Sequence, residues 1–396
     1  MSSPKASVAS HSGRKVLHVI SGIDPRGGGP AEALRGLALA QAAAGLNVHV
    51  LATFAAGDDL GFAAIMQARG ITVRLIGPCH GRFARHPDLT PITAQAVATA
   101  DIVHIHALWE EVQHQAARAA RLSGKPYLIR PCGMLDPWSL RQRRLAKTLY
   151  LAWRLRGNLN GAAALHFTSE GERQGTTRLR LRSSGIVEPN GIDVPEFERR
   201  CERGGFRHAH GISADRAVVL FLGRLHPKKG LDLLLPAFAR LAGEPLLVLA
   251  GPADEAYRRH LEAELARLNI TDRVLFTGML LGEDKRAAFA DADLFVLPSY
   301  QENFGIAVAE AMASGLPVVL SDQVNIADEV VRAGAGGVVP TNVDALSAEL
   351  SRWLSDANLR ARAGAIAGQF ARGRYDWVGI AGRWTMHYDR LIKSRA

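Results

Sequence analysis

The chain has 396 residues, which is long for a single domain and suits two. Hydrophobic residues make up 47% of it and charged residues 22%, so a disordered or collagen-like protein is excluded. Its three cysteines have no CxxC spacing, which argues against a disulfide framework and against a zinc knuckle. The formal net charge is +10, and residues 1–195 carry all of it, with 23 Lys and Arg against 13 Asp and Glu; residues 196–396 carry 25 of each.

The first residues and the longest apolar stretches argue against a secreted or membrane-spanning protein. Residues 1–13 are rich in Ser and Ala and lack the apolar core of a signal peptide, so we interpret them as a disordered leader. The apolar stretches at 33–44 and 231–251 contain charged residues and fall short of the roughly 18 apolar residues that a membrane span needs. We therefore expect a cytoplasmic protein.

Short β-branched runs alternate with helix-length amphipathic stretches along the chain. This alternation predicts an α/β fold, in which parallel sheets are covered by helices on both faces. Strands are predicted at 16–20, 48–52, 73–76, 102–105, 127–129 and 165–168 and, after a break at Pro-Asn-Gly, at 217–222, 246–250, 274–277, 294–297, 317–320 and 337–339. We therefore predict two tandem, doubly wound Rossmann-like domains at 14–190 and 191–375, facing each other across a cleft. A last helix within 376–396 is expected to pack back across the boundary between them.

The predicted strand at 217–222 leads into a basic loop, Gly223-Arg224-Leu225-His226-Pro227-Lys228-Lys229-Gly230, and then into a helix. In open α/β sheets, ligands bind beyond the carboxyl ends of the strands. Three cations in such a loop suit an anionic ligand, since a helix N-terminus also favours negative charge. Solvated surface charges are the alternative interpretation.

The segment 298–317 carries two glutamates on either side of a predicted helix start. Glu302 lies in the loop, the helix begins near Gly305, and Glu310 lies within the helix. A helix rises roughly 7–8 Å between those last two residues, so the two carboxylates are expected to hold different parts of a long ligand rather than to form an acid–base pair. The free amides of Gly305 and Ile306 suit phosphate oxygens. An acidic cap on a surface helix is the alternative interpretation.

The chain from about Val16 to Arg390 resembles the retaining glycosyltransferases of family 4, which have the GT-B fold. The marker of that family, Glu-x7-Glu, is matched by Glu302 and Glu310 in ENFGIAVAEAMASGLPVV. The GRLHPKKG loop, the Pro-Asn-Gly-Ile-Asp stretch between the predicted domains and VLFTGML also fit. Glu188 departs from the aliphatic residue that usually precedes Pro-Asn-Gly. This combination of motifs is far more specific than a lone Glu-x7-Glu.

The resemblance implies a nucleotide-diphosphate sugar as co-substrate, held mainly by the second domain. It assigns Arg224 and Lys229 to the diphosphate, with Lys228 as an alternative to Lys229. Cations there stabilise the negative charge that the leaving group gains as the glycosidic bond breaks, so no metal or other cofactor is expected. By the same resemblance, Glu302 contacts the donor sugar and Glu310 binds the ribose hydroxyls. The remaining donor contacts are assigned to the backbone around Asn303, Phe304, Gly305 and Ile306.

In the first domain the resemblance points to a glycine-rich loop and to a histidine. Gly28 and Gly29 follow the first strand, let the backbone approach a ligand closely, and would lie near the phosphates and the acceptor. A GxGxxG fingerprint is absent, which weakens a nicotinamide-binding interpretation. His106 matches the histidine near the donor sugar in the family; a hydrogen-bonded core residue is the alternative, and is the interpretation for His104. Retention by front-face displacement, which the family implies, needs no enzymatic nucleophile.

Asp291-Ala292-Asp293 has the Asp-x-Asp pattern that holds a metal ion in another class of glycosyltransferases. It precedes the predicted strand at 294–297 and would lie at the amino end of that strand, away from the ligand edge of the sheet. We therefore expect no metal site there.

Residues 137–160 contain six Lys and Arg and no acid. At helical spacing, Trp138, Leu145, Leu149 and Trp153 share one face and Arg143, Lys147 and Arg154 lie opposite. A basic amphipathic helix with tryptophan is typical of anionic membrane surfaces, which predicts a membrane or lipid-diphosphate acceptor contacted by Arg143, Lys147, Trp153 and Arg154. In the alternative, the apolar face packs on the first sheet. Nucleic acid is not expected as a partner, because no binding motif for it is recognisable and aromatic residues are only 6%.

Together these features predict a metal-independent, retaining hexosyltransferase at the inner face of the plasma membrane. It would move a sugar from a nucleotide-diphosphate sugar to a hydroxyl of a lipid-linked saccharide, in the synthesis of an exopolysaccharide, an O-antigen or a lipopolysaccharide. Two alternatives remain open from the sequence: a soluble transferase that acts on a small metabolite, and an inactive GT-B scaffold subunit.

Overall fold

The computed structural model describes residues 13–198 and 203–394, so the expected leader at 1–13 lies outside the described residues except for Gly13. The chain forms two compact units. The first unit runs up to Gly191 and resumes at Trp377, and the second spans Ile192–Asp376.

The first unit is built on a parallel sheet of seven strands. These are β1 (Lys15–Ile20), β2 (Asn47–Thr53), β3 (Thr72–Ile76), β4 (Ile102–His106), β5 (Tyr127–Arg130), β6 (Ala164–Phe167) and β7 (Gly185–Val187). Their order is β3-β2-β1-β4-β5-β6-β7. The six predicted strands are confirmed. The edge strand β7 was missed, because its three residues are partly or fully exposed and form no apolar run that stands out.

In the described part of the first unit, from residue 13 onward, eight α-helices precede the boundary. They are α1 (Gly29–Ala43), α2 (Gly61–Ala68), α3 (Leu89–Ala98), α4 (Glu111–Leu122), α5 (Pro137–Arg141), α6 (Arg144–Tyr150), α7 (Arg156–Gly161) and α8 (Glu170–Gly175). A π-helical turn, Leu151–Leu155, joins α6 to α7.

The second unit repeats the design with six parallel strands. These are β8 (Val218–Leu222), β9 (Leu246–Ala250), β10 (Val274–Gly278), β11 (Leu294–Leu297), β12 (Val318–Ser321) and β13 (Gly336–Val339), in the order β10-β9-β8-β11-β12-β13. All six were predicted. The helices are α9 (Val194–Glu198), α10 (Gly205–Ala209), α11 (Leu231–Ala239), α12 (Glu255–Leu268), α13 (Gly282–Asp291), α14 (Ile306–Ala313), α15 (Ala327–Ala333), α16 (Val343–Ser355) and α17 (Ala357–Tyr375).

Both sheets have the doubly wound strand order, which confirms two Rossmann-like α/β domains. In each sheet the chain moves outward from a central strand and then reverses, between β1 and β4 in the first unit and between β8 and β11 in the second. Ligands of such sheets bind beyond the carboxyl ends of the strands, at the point of reversal. Ligand sites are therefore expected at the loops after β1, β4, β8 and β11.

The last helix, α18 (Trp377–Lys393), lies within 376–396 and belongs to the first unit. Trp384 and Tyr388 are buried among residues of β1, β2 and α1. Glu188, the departure from the family pattern, accepts a hydrogen bond from Arg383 Nε at 2.9 Å and lies 3.2 Å from His387 Nε2. Glu188, which directly follows β7, therefore links the first sheet to α18.

Within the two described stretches, 13–198 and 203–394, no helix combines the length and the apolar character that crossing a membrane requires.

Candidate functional site

In the second unit, the predicted basic loop lies against the end of β11. The loop contains a 3₁₀ turn at Pro227–Lys229 and leads into α11 at Gly230. A Cβ at Gly230 would lie 2.1 Å from the carbonyl oxygen of Pro298, so only glycine allows this approach. The Tyr300 amide also donates to the Lys228 carbonyl at 2.9 Å. The two loops that follow β8 and β11 are thus joined at the reversal point of the sheet.

Two of the predicted catalytic residues are in direct contact at this point. Lys229 Nζ donates to Glu302 Oε2 in an ion pair whose side chains are 19% and 17% exposed. Burial raises the pKa of Glu302, but the charge of Lys229 and its hydrogen bond outweigh that effect and bring the pKa below the ordinary glutamate value. The Glu302 amide and carbonyl bond to Gln323 and Asn325, which fixes the loop. The site therefore presents an ionised, positioned carboxylate beside a lysine.

Arg224, the other residue assigned to the diphosphate beside Lys229, lies two residues beyond β8 and is exposed. Its guanidinium forms no ion pair with a carboxylate in residues 13–198 or 203–394. Lys228 lies partly exposed in the same loop, and its charge adds to the field that lowers the pKa of Glu302. The structure thus keeps both lysines near Glu302 but gives the direct contact to Lys229.

The helix α14 begins as predicted. Gly305 precedes it with φ +76°, a left-handed conformation that suits glycine, and Ile306 is its first residue. Glu310, within the helix, accepts a hydrogen bond from Lys285 Nζ at 2.8 Å. Each glutamate of the Glu-x7-Glu pair is therefore matched by a lysine from another element. Lys285, on α13, was missed because nothing in its local sequence points to Glu310.

The residues between Glu302 and Gly305 divide into a surface and a core part. Asn303 is partly exposed, and its amide lies 3.2 Å from Glu302 Oε1. Phe304 is 2% exposed, and its ring packs edge-on against Tyr375 with the centroids 5.4 Å apart. The side chain of Phe304 thus belongs to the core, and only the backbone of this residue is available to a nucleotide-sugar ligand.

The Asp-x-Asp pair lies at the amino end of β11, as predicted, and has a structural role. Asp291 accepts hydrogen bonds from the amides of Gly204 and Arg207, at 2.5 and 2.9 Å. Asp293 pairs with Arg207 Nη2 at 3.0 Å and accepts from the Val218 amide at 2.9 Å. These bonds anchor α10 to the sheet.

In the first unit, the glycine-rich loop leads from β1 to α1. Gly28 has φ +85°, and Gly29 is the first residue of α1, at the surface. Gly28, the residue that caps this helix start, has no side chain to bond to its amides. Nearby, Arg26 Nη2 donates to the Gly57 carbonyl at 2.7 Å, which holds the loop against the segment after β2.

His106 is the last residue of β4 and is completely buried. Its Nε2 lies 3.0 Å from His18 Nδ1, while His104 Nε2 lies 3.0 Å from His166 Nδ1. Burial lowers the pKa of His106 and of His104 well below the ordinary histidine value, so both are neutral at pH 7. The prediction that His104 is structural fits this network. The predicted contact of His106 with the donor sugar stays a prediction.

The sequence reasoning missed the partners of these histidines. His18 on β1 is the register partner of His104 on β4, and this pairing could have been predicted from the strand order and the alternation of side chains. With His106 they form a group whose ring nitrogens lie within 4.8 Å of one another, a spacing that a metal ion could bridge. Such an ion would have to replace hydrogen bonds that these rings make, including the one between His18 and His106.

Glu110 was also missed as a site candidate. It lies directly before α4, at the end of the loop that follows β4. Burial raises the pKa of Glu110, and a hydrogen bond from Ser21 in the loop after β1 opposes that shift. Its Oε2 has no hydrogen-bond partner in the part of the chain that the structure describes. A carboxylate that joins the loops after β1 and β4 lies where an acceptor hydroxyl is expected.

The basic segment at 137–160 differs from the continuous helix that was expected. Arg143 has φ +54° and separates α5 from α6. The apolar residues Leu145, Leu149 and Trp153 are 82%, 70% and 86% exposed, so the alternative in which this face packs on the sheet is wrong.

Two cations of this segment, Lys147 and Arg154, turn inward, whereas Arg143 stays exposed. Arg154 makes two hydrogen bonds to Glu111, at 2.9 and 3.0 Å, so its charge is neutralised by an acid of α4 that lies outside the local sequence window. Lys147 donates to the Ser139 carbonyl at 2.6 Å and lies over the Trp109 ring. A groove of 530 Å³ opens beside them, lined by Arg82, Phe83, Trp109, Arg143, Ala146, Lys147, Leu149, Tyr150 and Trp153.

Comparisons with known proteins place both units. Residues 28–191 match the glycosyl transferase 4-like domain, and residues 203–370 match the glycosyl transferases group 1. The chain belongs to the family 4 glycosyltransferases. A solved structure, Anabaena Alr3699/HepE in complex with UDP, superposes with a TM-score of 0.79 at 22% identity over 95% of this chain and 100% of that one. The fold of this glycosyltransferase family member is therefore GT-B.

The curated relatives differ in how much they share with this glycosyltransferase. The GDP-mannose:cellobiosyl-diphosphopolyprenol alpha-mannosyltransferase of Xanthomonas oryzae is 26% identical and aligns over 96% of this chain and 97% of its own length. The D-inositol 3-phosphate glycosyltransferase of Salinispora tropica is 36% identical over 48% of this chain. An uncharacterized glycosyltransferase of Methanocaldococcus jannaschii is 33% identical over 48%. The chain spans half or less of the length of these last two, 43% and 50%.

Proposed function

We propose that this protein is a retaining glycosyltransferase that transfers a hexose from a nucleotide-diphosphate sugar to a hydroxyl acceptor. The observation that carries the proposal is the Lys229–Glu302 ion pair at the reversal point of the second sheet, beside the exposed Arg224. An ionised carboxylate suits sugar hydroxyls, and adjacent cations suit the diphosphate.

The charge of these groups fits the chemistry of donor cleavage. As the glycosidic bond breaks, the diphosphate gains negative charge, and positioned cations stabilise that charge in the transition state. Arg224 and Lys229 would supply these positive charges without a metal ion. Glu310, held by Lys285, would accept hydrogen bonds from the ribose hydroxyls, and the backbone of Asn303, Gly305 and Ile306 would contact the sugar and phosphates.

For the acceptor we propose a lipid-linked saccharide in the assembly of a surface polysaccharide. Leu145, Leu149 and Trp153 form an exposed apolar strip beside a groove that is edged by Arg82, Arg143 and Lys147. Apolar side chains next to cations suit an anionic membrane surface that bears a lipid diphosphate. The relative that aligns over nearly the whole chain is named for a diphosphopolyprenol acceptor, which supports this class. The proposed location is therefore the cytoplasmic face of a membrane.

The experiment compares two acceptor classes with purified protein. UDP-glucose and GDP-mannose are offered as donors, each with a polyprenyl-diphosphate saccharide in vesicles or with D-inositol 3-phosphate in solution. We expect transfer to the lipid-linked saccharide. Transfer to inositol phosphate alone would instead support a transferase for a small metabolite, the activity in the names of the shorter-aligning relatives. An absence of hydrolysis and transfer with a wide donor panel would support an inactive scaffold.

A further inference from the structure

Four histidines lie side by side in the core of the first unit. They are His18 on β1, His104 and His106 on β4, and His166 on β6, each at most 2% exposed. Neighbouring rings are 4.5–5.4 Å apart between their centroids. Burial lowers the pKa of all four, that of His18 to about 4. At pH 7 each ring is therefore neutral, with one N–H and one bare nitrogen.

One backbone carbonyl sets the direction of the hydrogen bonds that join them. His166 Nε2 lies 2.9 Å from the Glu188 carbonyl oxygen, which can only accept, so Nε2 carries the proton and His166 Nδ1 is bare. His104 Nε2, 3.0 Å from that bare nitrogen, must then donate to it. His104 Nδ1 is consequently bare and accepts from the Tyr388 hydroxyl at 2.8 Å.

The same direction continues through a glutamine. Because the Tyr388 proton points to His104, its oxygen accepts from Gln41 Nε2 at 3.0 Å. The Gln41 carbonyl oxygen then accepts from His18 Nε2 at 2.7 Å. His18 Nδ1 is left bare and accepts from His106 Nε2 at 3.0 Å. We call this series of hydrogen-bonded side chains the histidine chain; it runs through His166, His104, Tyr388, Gln41, His18 and His106. The Glu188 carbonyl at its far end determines the direction of every hydrogen bond in it.

The chain ends at His106, whose proton is on Nε2 and whose Nδ1 is bare. That nitrogen is buried and has no hydrogen-bond partner within residues 13–198 and 203–394. It lies at the carboxyl end of β4, the ligand edge of the sheet. The next residue, Ala107, has φ +67°, and such strain in a residue other than glycine is concentrated at functional sites. A buried acceptor without a donor, at this edge, points to a ligand that supplies one.

We propose that the histidine chain holds His106 in the Nε2–H tautomer, so that its Nδ1 accepts a hydrogen bond from a sugar hydroxyl. The ligand half of this inference rests on the proposed glycosyl transfer. Tyr388, Gln41 and His18 are positioning residues that act through His106. Tyr388 belongs to α18, so the last helix of the chain sets the protonation of a residue at the ligand edge of the first sheet.

The tautomers are tested by ¹⁵N NMR of the full-length protein, labelled at histidine, at pH 7 without ligand. Signals are assigned from single histidine substitutions. We expect all four histidines to be protonated at Nε2. In Tyr388→Phe the Gln41 amide can rotate, so His18 and His106 should become mixtures of both tautomers. His104 and His166 should keep theirs, because the Glu188 carbonyl still directs them.

The matched control is Tyr127→Phe, which removes a hydroxyl from another fully buried tyrosine of the same unit, bonded to the Asn158 carbonyl. It should leave all four tautomers unchanged. If Tyr388→Phe does not fold, Gln41→Leu breaks the chain at the next link and should give the same division. A shift of all four histidines together, no shift at all, or a proton on Nδ1 of His106 in the wild type would overturn the proposal.

The ligand half is tested by kinetics. Tyr388→Phe should lower kcat/KM for the nucleotide sugar about tenfold, roughly the worth of one hydrogen bond, and Tyr127→Phe should not. With the monodeoxy donor that lacks the hydroxyl bonded to His106, wild type and Tyr388→Phe should have equal kcat/KM. An equal penalty with every deoxy donor would contradict the contact. The expected tautomers in a protein without any transfer activity would overturn the proposed function alone.

Discussion

The two units share one strand order and handle charge in opposite ways. By sequence, the first unit carries 27 Lys and Arg against 13 Asp and Glu, whereas the second carries 21 against 25. The basic unit nevertheless buries neutral histidines at the ligand edge of its sheet, and the acidic unit places paired charges there. The net charge of a unit therefore does not describe its site: in the second unit, Lys229 and Lys285 are each matched to one glutamate, although the unit as a whole is acidic.

This contrast indicates that the two units suit different ligand groups. Paired, ionised groups suit the charged diphosphate and the hydroxyls of a nucleotide sugar, while a neutral acceptor nitrogen suits only a hydroxyl. The exposed apolar strip and the groove of the first unit suit a lipid surface.

The largest effect is expected for Glu302→Gln, which keeps the shape of the side chain and removes its charge. We expect kcat to fall by about a hundredfold or more, because the carboxylate no longer orients the donor sugar and Lys229 loses its partner. The matched control is Glu349→Gln, which removes an acid that bonds to Arg352 and Trp353 in the same unit. Steady-state turnover near the wild-type value in Glu302→Gln would remove Glu302 from the site.

Acid should destabilise the first unit before the second. The four buried histidines have folded-state pKa values below their unfolded value near 6.5, so the unfolded chain binds more protons as the pH falls and stability is lost from about pH 7 downward. His18, with a pKa of about 4, alone should cost roughly 2 kcal/mol at pH 5. Hydrogen exchange at pH 5 and pH 7 measures this: β1 and β4 should lose protection and β8 and β11 should keep theirs. Equal losses in both sheets would contradict it.

The two lysines of the basic loop should differ, although the sequence left them interchangeable. Lys229→Ala leaves the largely buried Glu302 carboxylate without its ion-pair partner and should weaken nucleoside diphosphate binding about tenfold. Lys228→Ala should weaken it less, because Lys229 lowers the pKa of Glu302 through a larger charge effect and also donates a hydrogen bond to it. Calorimetry with UDP and GDP measures both affinities. A larger loss in Lys228→Ala would reverse the assignment.

The smallest effects are expected at the first unit's surface. Replacing Leu149 and Trp153 together by Ser should reduce sedimentation with anionic vesicles several-fold. Leu122→Ser is the control, since Leu122 is 74% exposed but lies outside the groove. Arg154→Gln should change sedimentation little, because Glu111 already neutralises Arg154. Unchanged sedimentation of the Leu149 and Trp153 variant would contradict membrane contact through this strip.

The sequence predicted most of the fold because parallel strands buried on both faces form continuous apolar runs. Twelve of the 13 strands stand out in this way, and the short edge strand β7 does not. In the second unit, the family motifs mark Glu302, Glu310 and Lys229, and their roles toward a donor stay predictions.

The remaining features depend on contacts between distant segments. Glu111 neutralises Arg154 from 43 residues away, and Lys285 meets Glu310 from 25 residues away. The histidine chain joins β1, β4, β6, α1 and α18, and its Gln41–Tyr388 link spans 347 residues. Such pairs follow from strand order and helix docking, which local patterns do not encode.

The proposed function is tested by the anomeric configuration of the transferred sugar. Wild-type protein is incubated with a panel of nucleoside diphosphate sugars and a lipid-linked acceptor in the presence of EDTA, and the anomeric configuration of the product is read by NMR. We predict transfer from one donor with its anomeric configuration retained. An inverted product, a requirement for added metal ion, or no transfer from any donor would contradict the account.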